Sequence, residues 1–165
     1  MIHKMTCRAL ACAAFVHATT GMASAQSNSA TAQQEIRRAG TQASTTGPSD
    51  FFTGRVRVDP VWPANEHINA SGHFVTFEAG ARSAWHTHPA GQQLVVISGE
   101  GLAQEQGKPV QTIRPGDVLW CPPGVKHWHG AGPTTAMTHL AVTGTIAGKN
   151  VTWMEKVTDD QYNAR

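Results

Sequence analysis

The stretch Ala84–Ile97, AWHTHPAGQQLVVI, decides the fold. Its two histidines, His86 and His88, stand at i and i+2, the spacing that places side chains on one face of a β-strand. Gln92 follows four residues after His88, beyond a Pro-Ala-Gly turn, and Leu94 and Val96 continue the alternation on the returning strand. Such a hairpin brings two imidazoles and an amide oxygen to one place, where they can hold a divalent metal. A second cluster, Pro122–Gly130 (PPGVKHWHG), sets His127 and His129 on one face and can supply a further donor. The reading is a metal site inside a small β-barrel.

A single histidine on a strand is ordinarily a surface residue or a satisfied core residue. Here seven of the nine histidines lie between His67 and His139, and four of them form two His-x-His pairs flanked by Gly and Pro. That clustering favours ligation over packing.

The chain of 165 residues has the length of one domain. Lys4 and Arg8 precede a short apolar run, Ala9–Val16, and then Ala23-Ser24-Ala25. A basic start, an apolar segment and an A-x-A site predict a signal peptide over residues 1–25 and an exported, periplasmic product. The apolar run is too short to span a membrane. Removing Lys4 and Arg8 from the 13 basic residues leaves 11 against 11 acidic ones. With no excess of positive charge, nucleic acid is not an expected partner. Of three cysteines only Cys121 lies beyond the leader, so no internal disulfide can form, and its neighbours Trp120 and Pro122 predict a buried, inert thiol.

Residues 26–50 are rich in Ser, Thr, Ala, Gln and Gly, and predict a disordered linker or mobile arm, with order starting near Phe51. From there a single domain over 51–162 alternates strand-like runs with turn signals, and no long helical period appears. Strands are expected near 54–58, 73–79, 83–88, 92–98, 101–106, 110–113, 117–121, 126–130, 136–144 and 150–156. Turns fall at Ser98–Gly101, Glu105–Pro109, Arg114–Asp117 and Pro122–Gly124. One helical turn, capped by Thr158 or Asp159, is expected over 158–163. The fold class is all-β, a closed barrel or jelly roll. Trp85, Trp120 and Trp128 are expected to pack the barrel. The apolar lead-in Phe51-Phe52, Val56, Val58 and Trp62 reads as a strand that needs a neighbour, which predicts a homo-oligomer, a dimer or tetramer.

Two motifs carry a resemblance. Gly80-x5-His86-x-His88-x3-Gln92-x6-Gly99 resembles the first cupin motif, and Gly116-x5-Pro122-x-Gly124-x2-His127 resembles the second. The commoner forms have Glu at the place of Gln92 and Asn at the place of Ala131. The runs VTFEAGARSAWHTHPAGQQLVV, IRPGDVLWCPPGVKHWHGAGPTTAMTHLAV and WMEKVTDDQY are similar to small bacterial cupins that act as manganese-dependent hydroxynitrile lyases. The resemblance implies a jelly-roll barrel and a metal held by His86, His88, Gln92 and His127. It also implies a cavity lined by His73, Val75, His129, His139 and Thr143.

Three imidazoles and an amide are all neutral, so a bound dication would keep its full charge and act as a Lewis acid. Manganese is the expected ion, and these donors also suit iron, zinc or nickel. Cyanohydrin cleavage needs a base for the substrate hydroxyl. His139, on the face shared by Met137, Ala141 and Thr143, is the first candidate; His73, beside Val75 and Phe77, is the second. His129 is expected to orient the ligands. A manganese or iron dioxygenase, a redox-silent isomerase or hydrolase, and a periplasmic small-molecule binding module fit the same donors, since one fold hosts many chemistries.

Overall fold

The computed structural model describes residues 33–164; the expected leader over 1–25, and the linker as far as residue 32, lie outside the described residues. In chain order the strands are β1 Thr45–Thr46, β2 Phe52–Thr53, β3 Val56–Trp62, β4 Ala70–Phe77, β5 Arg82–Ser83, β6 His86–Thr87 and β7 Gln92–Gly99. They continue with β8 Gly101–Glu105, β9 Gln111–Ile113, β10 Val118–Cys121, β11 His127–Ala131, β12 Met137–Gly144 and β13 Thr152–Trp153, and one helix, α1 Asp159–Asn163, closes the chain. No helix among the described residues is long and apolar enough to cross a membrane.

Two antiparallel sheets face each other. One runs β1-β3-β4-β12-β7-β10; the other runs β13-β6-β11-β5-β2, with β8 on the far side of β11 and β9 beyond it. Period-two alternation builds the core between them: β12 buries every second residue, and Met137, His139, Ala141 and Thr143 point inward. They meet Val75 and Phe77 of β4, Leu94 and Val96 of β7, and Phe52 and Val56. Gly99 ends β7 with φ +78°, and a Cβ there would stand 1.8 Å from the Ala136 carbonyl oxygen, so only glycine fits this corner.

Several expectations change. Order starts before Phe51: Thr45 and Thr46 pair with Val58 and Arg57, and the Gly47 amide donates to the Val56 carbonyl at 2.9 Å. Serine- and threonine-rich sequence gives no warning of this, because the strand is held by an open edge of β3 and not by its own apolar residues. The expected strand over 83–88 is two short strands. Between them the Ala84 amide donates to Phe51 and the Trp85 amide to Glu155, so segments from both ends of the domain occupy the gap. Phe52 and Val56, read as seeking a neighbour, are buried in their own barrel. Trp120 is 59% exposed on the edge strand β10 instead of packing the barrel, whereas Trp85 and Trp128 are buried as expected.

β11 is buried along its whole length. His127 and His129 lie on the inner face, while Trp128, on the outer one, joins Trp85, Leu102, Val157 and Tyr162 in a second cluster. The helix is fixed by a capping box, with Thr158 accepting from the Gln161 amide and the Gln161 side chain accepting from the Thr158 amide. Arg82 clasps this segment. Its side chain, 7% exposed, donates to the Val157 carbonyl and to Asp159, and its guanidinium lies 4.7 Å from the centre of the Tyr162 ring. The Tyr162 hydroxyl donates to the Ala131 carbonyl at 2.8 Å.

A buried guanidinium with charge-assisted bonds contributes more than an exposed pair. Arg82→Met should lower the urea unfolding free energy by about 2–3 kcal/mol, and Tyr162→Phe by about 1 kcal/mol. Asp159→Ala should cost less than either, because that carboxylate is 86% exposed.

Candidate metal centre

The two motifs meet across one ladder: His127 of β11 is the register partner of His86 of β6. Their ring centroids are 4.3 Å apart, and those of His88 lie 5.0 Å from His86 and 5.4 Å from His127. The hairpin expected after His88 delivers Gln92 to the start of β7, between Cys121 of β10 and Thr143 of β12.

Each of these histidines has its Nδ1 on a backbone carbonyl: His86 on Ala84 at 3.0 Å, His88 on Asn150 at 2.5 Å and His127 on Val125 at 2.9 Å. A carbonyl only accepts, so each neutral ring carries its proton on Nδ1 and leaves a lone pair on Nε2. Gln92 is held likewise: its Nε2 donates to the Thr143 hydroxyl at 3.0 Å. The Nε2 atoms of His88, His127 and His129 and the Oε1 of Gln92 are all buried without a hydrogen-bond partner. Buried acceptors left unpaired are costly, and a cation is the group they fit. Among the described residues, His86, His127 and His129 form the group of ligating side chains whose donor atoms all lie within 4.8 Å of one another.

His129 is tied differently. Its Nδ1 is 3.1 Å from Nε2 of His139, which is completely buried behind it, and its amide donates to the Ser83 hydroxyl at 3.2 Å. Burial holds all of these rings neutral. It pushes His127 down to about 4 and His139 down to about 3, and takes His86 and His129 well below the ordinary histidine value. His88 is lowered by the same cause.

A cavity of about 260 Å³ opens between the edge strands β9 and β10. His127 and His129 stand in its wall with Leu94, Ala103, Ile113, Leu119, Cys121 and Val125. Of the expected lining, therefore, only His129 reaches it. Val75 lies in the hydrophobic core, Thr143 serves Gln92, and His139 sits behind His129. His73 is half-buried on β4, opposite Pro60 and Ala141, away from this cavity. The sequence reading missed Leu119 and Val125 as lining residues, although both lie within the second motif, at positions whose residue type it leaves open. It missed the Asn150 carbonyl entirely, and a backbone group leaves no signature in the residue type. Cys121 is buried as expected, and burial raises its thiol to about 11.

Residues 73–143 match the model of the Cupin domain. The chain is 59% identical over 128 residues to a curated (R)-mandelonitrile lyase of Granulicella tundricola, covering 78% of this chain and 98% of that protein. Among solved structures it is similar to a cupin-like protein of Thermotoga maritima, at 38% identity and a TM-score of 0.68, covering 78% of this chain and 95% of the other. A cupin-2 domain of Rhodospirillum rubrum shares the fold at 18% identity and a TM-score of 0.59, over 78% of this chain and 83% of its own. A jelly roll whose two histidine motifs face each other across one ladder, with a relative this similar over most of the chain, places the protein: it belongs to the cupin family.

Proposed function

We propose that the chain is a metal-dependent carbon–carbon lyase that cleaves and forms cyanohydrins, with an aldehyde and cyanide on the other side of the equilibrium. The carrying observation is the division of labour among the buried imidazoles. His86, His88 and His127 are locked by carbonyls with Nε2 presented, while His129 shares a bond with a second imidazole. The first kind suits ligation and the second suits proton transfer. The similarity to a protein named (R)-mandelonitrile lyase narrows the chemistry to cyanohydrins.

In this reading His86, His88, Gln92 and His127 hold one divalent ion, with manganese the first choice. When bound, it supplies an uncompensated positive charge that acidifies a neighbouring substrate hydroxyl. His129 stands in the cavity wall and takes the hydroxyl proton on Nε2. Its Nδ1 proton, given to Nε2 of His139 along their shared bond, leaves Nε2 of His129 as the free acceptor. As the carbon–carbon bond breaks, its electron pair leaves on cyanide, and His129 returns the proton. Burial disfavours the imidazolium, so the proton is held only briefly. His139 becomes a positioning partner, and His129 takes the role first expected of His139. The apolar side chains of Leu119, Cys121 and Val125 suit a substrate with an apolar body. Export to the periplasm completes the proposal on the sequence of the leader; assembly into a homo-oligomer keeps as its ground only the half-buried remainder of the apolar lead-in, Phe51, Val58 and Trp62, and a light-scattering mass of one mature chain would remove it.

Two outcomes test the site. His129→Ala should lower kcat for mandelonitrile cleavage by about 10²-fold or more, with metal content unchanged, and His139→Ala should cost less. Loss of metal from His129→Ala would instead make His129 a ligand with His86 and His127. The second outcome concerns acid. In the metal-free protein, His127 at about 4 and His139 at about 3 bind fewer protons than the same groups in the unfolded chain, near 6.5. Their contribution to stability is therefore complete above about pH 6.5 and is lost as pH falls toward 4 and 3. The urea midpoint should fall between about pH 7.5 and about pH 5, and an unchanged midpoint would show these rings to be accessible and ordinary.

A further inference from the structure

A glutamine ligand has a problem that a glutamate lacks. The two ends of the amide have the same shape, but only the oxygen has lone pairs for a cation; the nitrogen offers two protons. A glutamine that turns over presents the wrong end. Gln92 is delivered by β7 with its Nε2 on the Thr143 hydroxyl at 3.0 Å and its Oε1 buried and unpartnered. Thr143 lies directly opposite it on β12. A hydroxyl can meet either end of an amide, so accepting from Nε2 settles the direction only if the hydroxyl proton is given elsewhere. Thr143 pairs on its other side with Ser71 of β4, whose hydroxyl oxygen is buried and has no hydrogen-bond partner. Three neighbouring strands, β4, β12 and β7, thus carry Ser71, Thr143 and Gln92 in one polar row of buried side chains.

We propose that Thr143 is a positioning residue that orients the Gln92 amide, with Ser71 taking the Thr143 hydroxyl proton so that Nε2 faces Thr143 and Oε1 faces the histidines. The inference rests on the reading of Gln92 as a ligand and extends it to the groups that make a neutral amide usable. Cross-strand partners have Cβ atoms about 5 Å apart, so rotation of the Ser71 side chain about its Cα–Cβ bond would close this bond. A carboxylate, whose two oxygens are equivalent, leaves the row no direction to set.

That asymmetry gives the test. Affinity for Mn²⁺ is measured by competition with a chromophoric chelator, in the full chain and its variants, with thermal unfolding of each metal-free variant as the folding control. Thr143→Val should weaken Mn²⁺ binding by about 10-fold or more, the scale for losing a group that orients a ligand. Thr143→Ser should restore it, and Ser71→Ala should show a smaller loss. In a Gln92→Glu background, Thr143→Val should cost several-fold less Mn²⁺ affinity than it does beside Gln92, because only a hydrogen bond to the carboxylate is lost and no orientation remains to be set. The same loss in both backgrounds would overturn the inference, since Thr143 would then matter only for packing, and so would undiminished binding by Thr143→Val alone. Gln92→Ala separates the two levels. If it binds Mn²⁺ as tightly as the parent, the ligand reading fails and the inference falls with it. If it binds weakly while Thr143→Val does not, the ligand reading stands and the orienting role is gone.

Discussion

The placement of three protons governs this molecule. A histidine buried among other histidines is useful to a cation only if its lone pair points the right way, and in the neutral ring that is decided by what the other nitrogen meets. Three backbone carbonyls make that decision. Those of Ala84 and Val125 each stand two residues before the histidine they hold, so each motif carries its own anchor. That of Asn150 comes from 62 residues away. Burial then removes the competing protonated state, so the lone pairs are available well below neutral pH. The barrel serves this arrangement by excluding water and by bringing β6 and β11 into register.

Much of this was legible because strand alternation is a strict rule. His86 and His88, the turn before Gln92, and the inward row of Met137, His139, Ala141 and Thr143 all follow from a period of two and from the glycines and prolines that bound it. What escaped were partners that sequence does not mark. Thr45–Thr46 becomes a strand because β3 offers an edge, and Ala84 and Trp85 leave their ladder because Phe51 and Glu155 reach them first. Trp120 looked like core by residue type, yet alternation with the buried Cys121 turns it outward. Depth was the harder matter. His129 and His139 were both legible as inward residues, but which stands in front depends on the curvature of two facing sheets.

His129 and His139 give the site a second character. Imidazoles held by carbonyls are fixed in one tautomer, whereas an imidazole bonded to an imidazole can donate or accept without moving its heavy atoms. One carbonyl-held ring, His127, and one member of the adaptable pair, His129, therefore share the cavity wall, spaced by the same alternation that puts both on a single face of β11. The outer face of that strand is covered, through Trp128, by Tyr162, so the strand carrying both histidines is packed on both sides.

The dependence of His88 on the Asn150 carbonyl has a temporal consequence. The segment that carries Asn150, the β13 partner of His86 and the residues clasped by Arg82 is the last of the domain to be synthesised. Until it docks, His88 can present either nitrogen, and β6 lacks one of its two flanking strands. Both histidine motifs are in place well before this, yet the donor set is not. On the proposed ligand set, ion capture would thereby wait for this segment to dock, and a chain cut short before Asn150 would carry every proposed side-chain ligand but lack the anchor that fixes His88 as one of them.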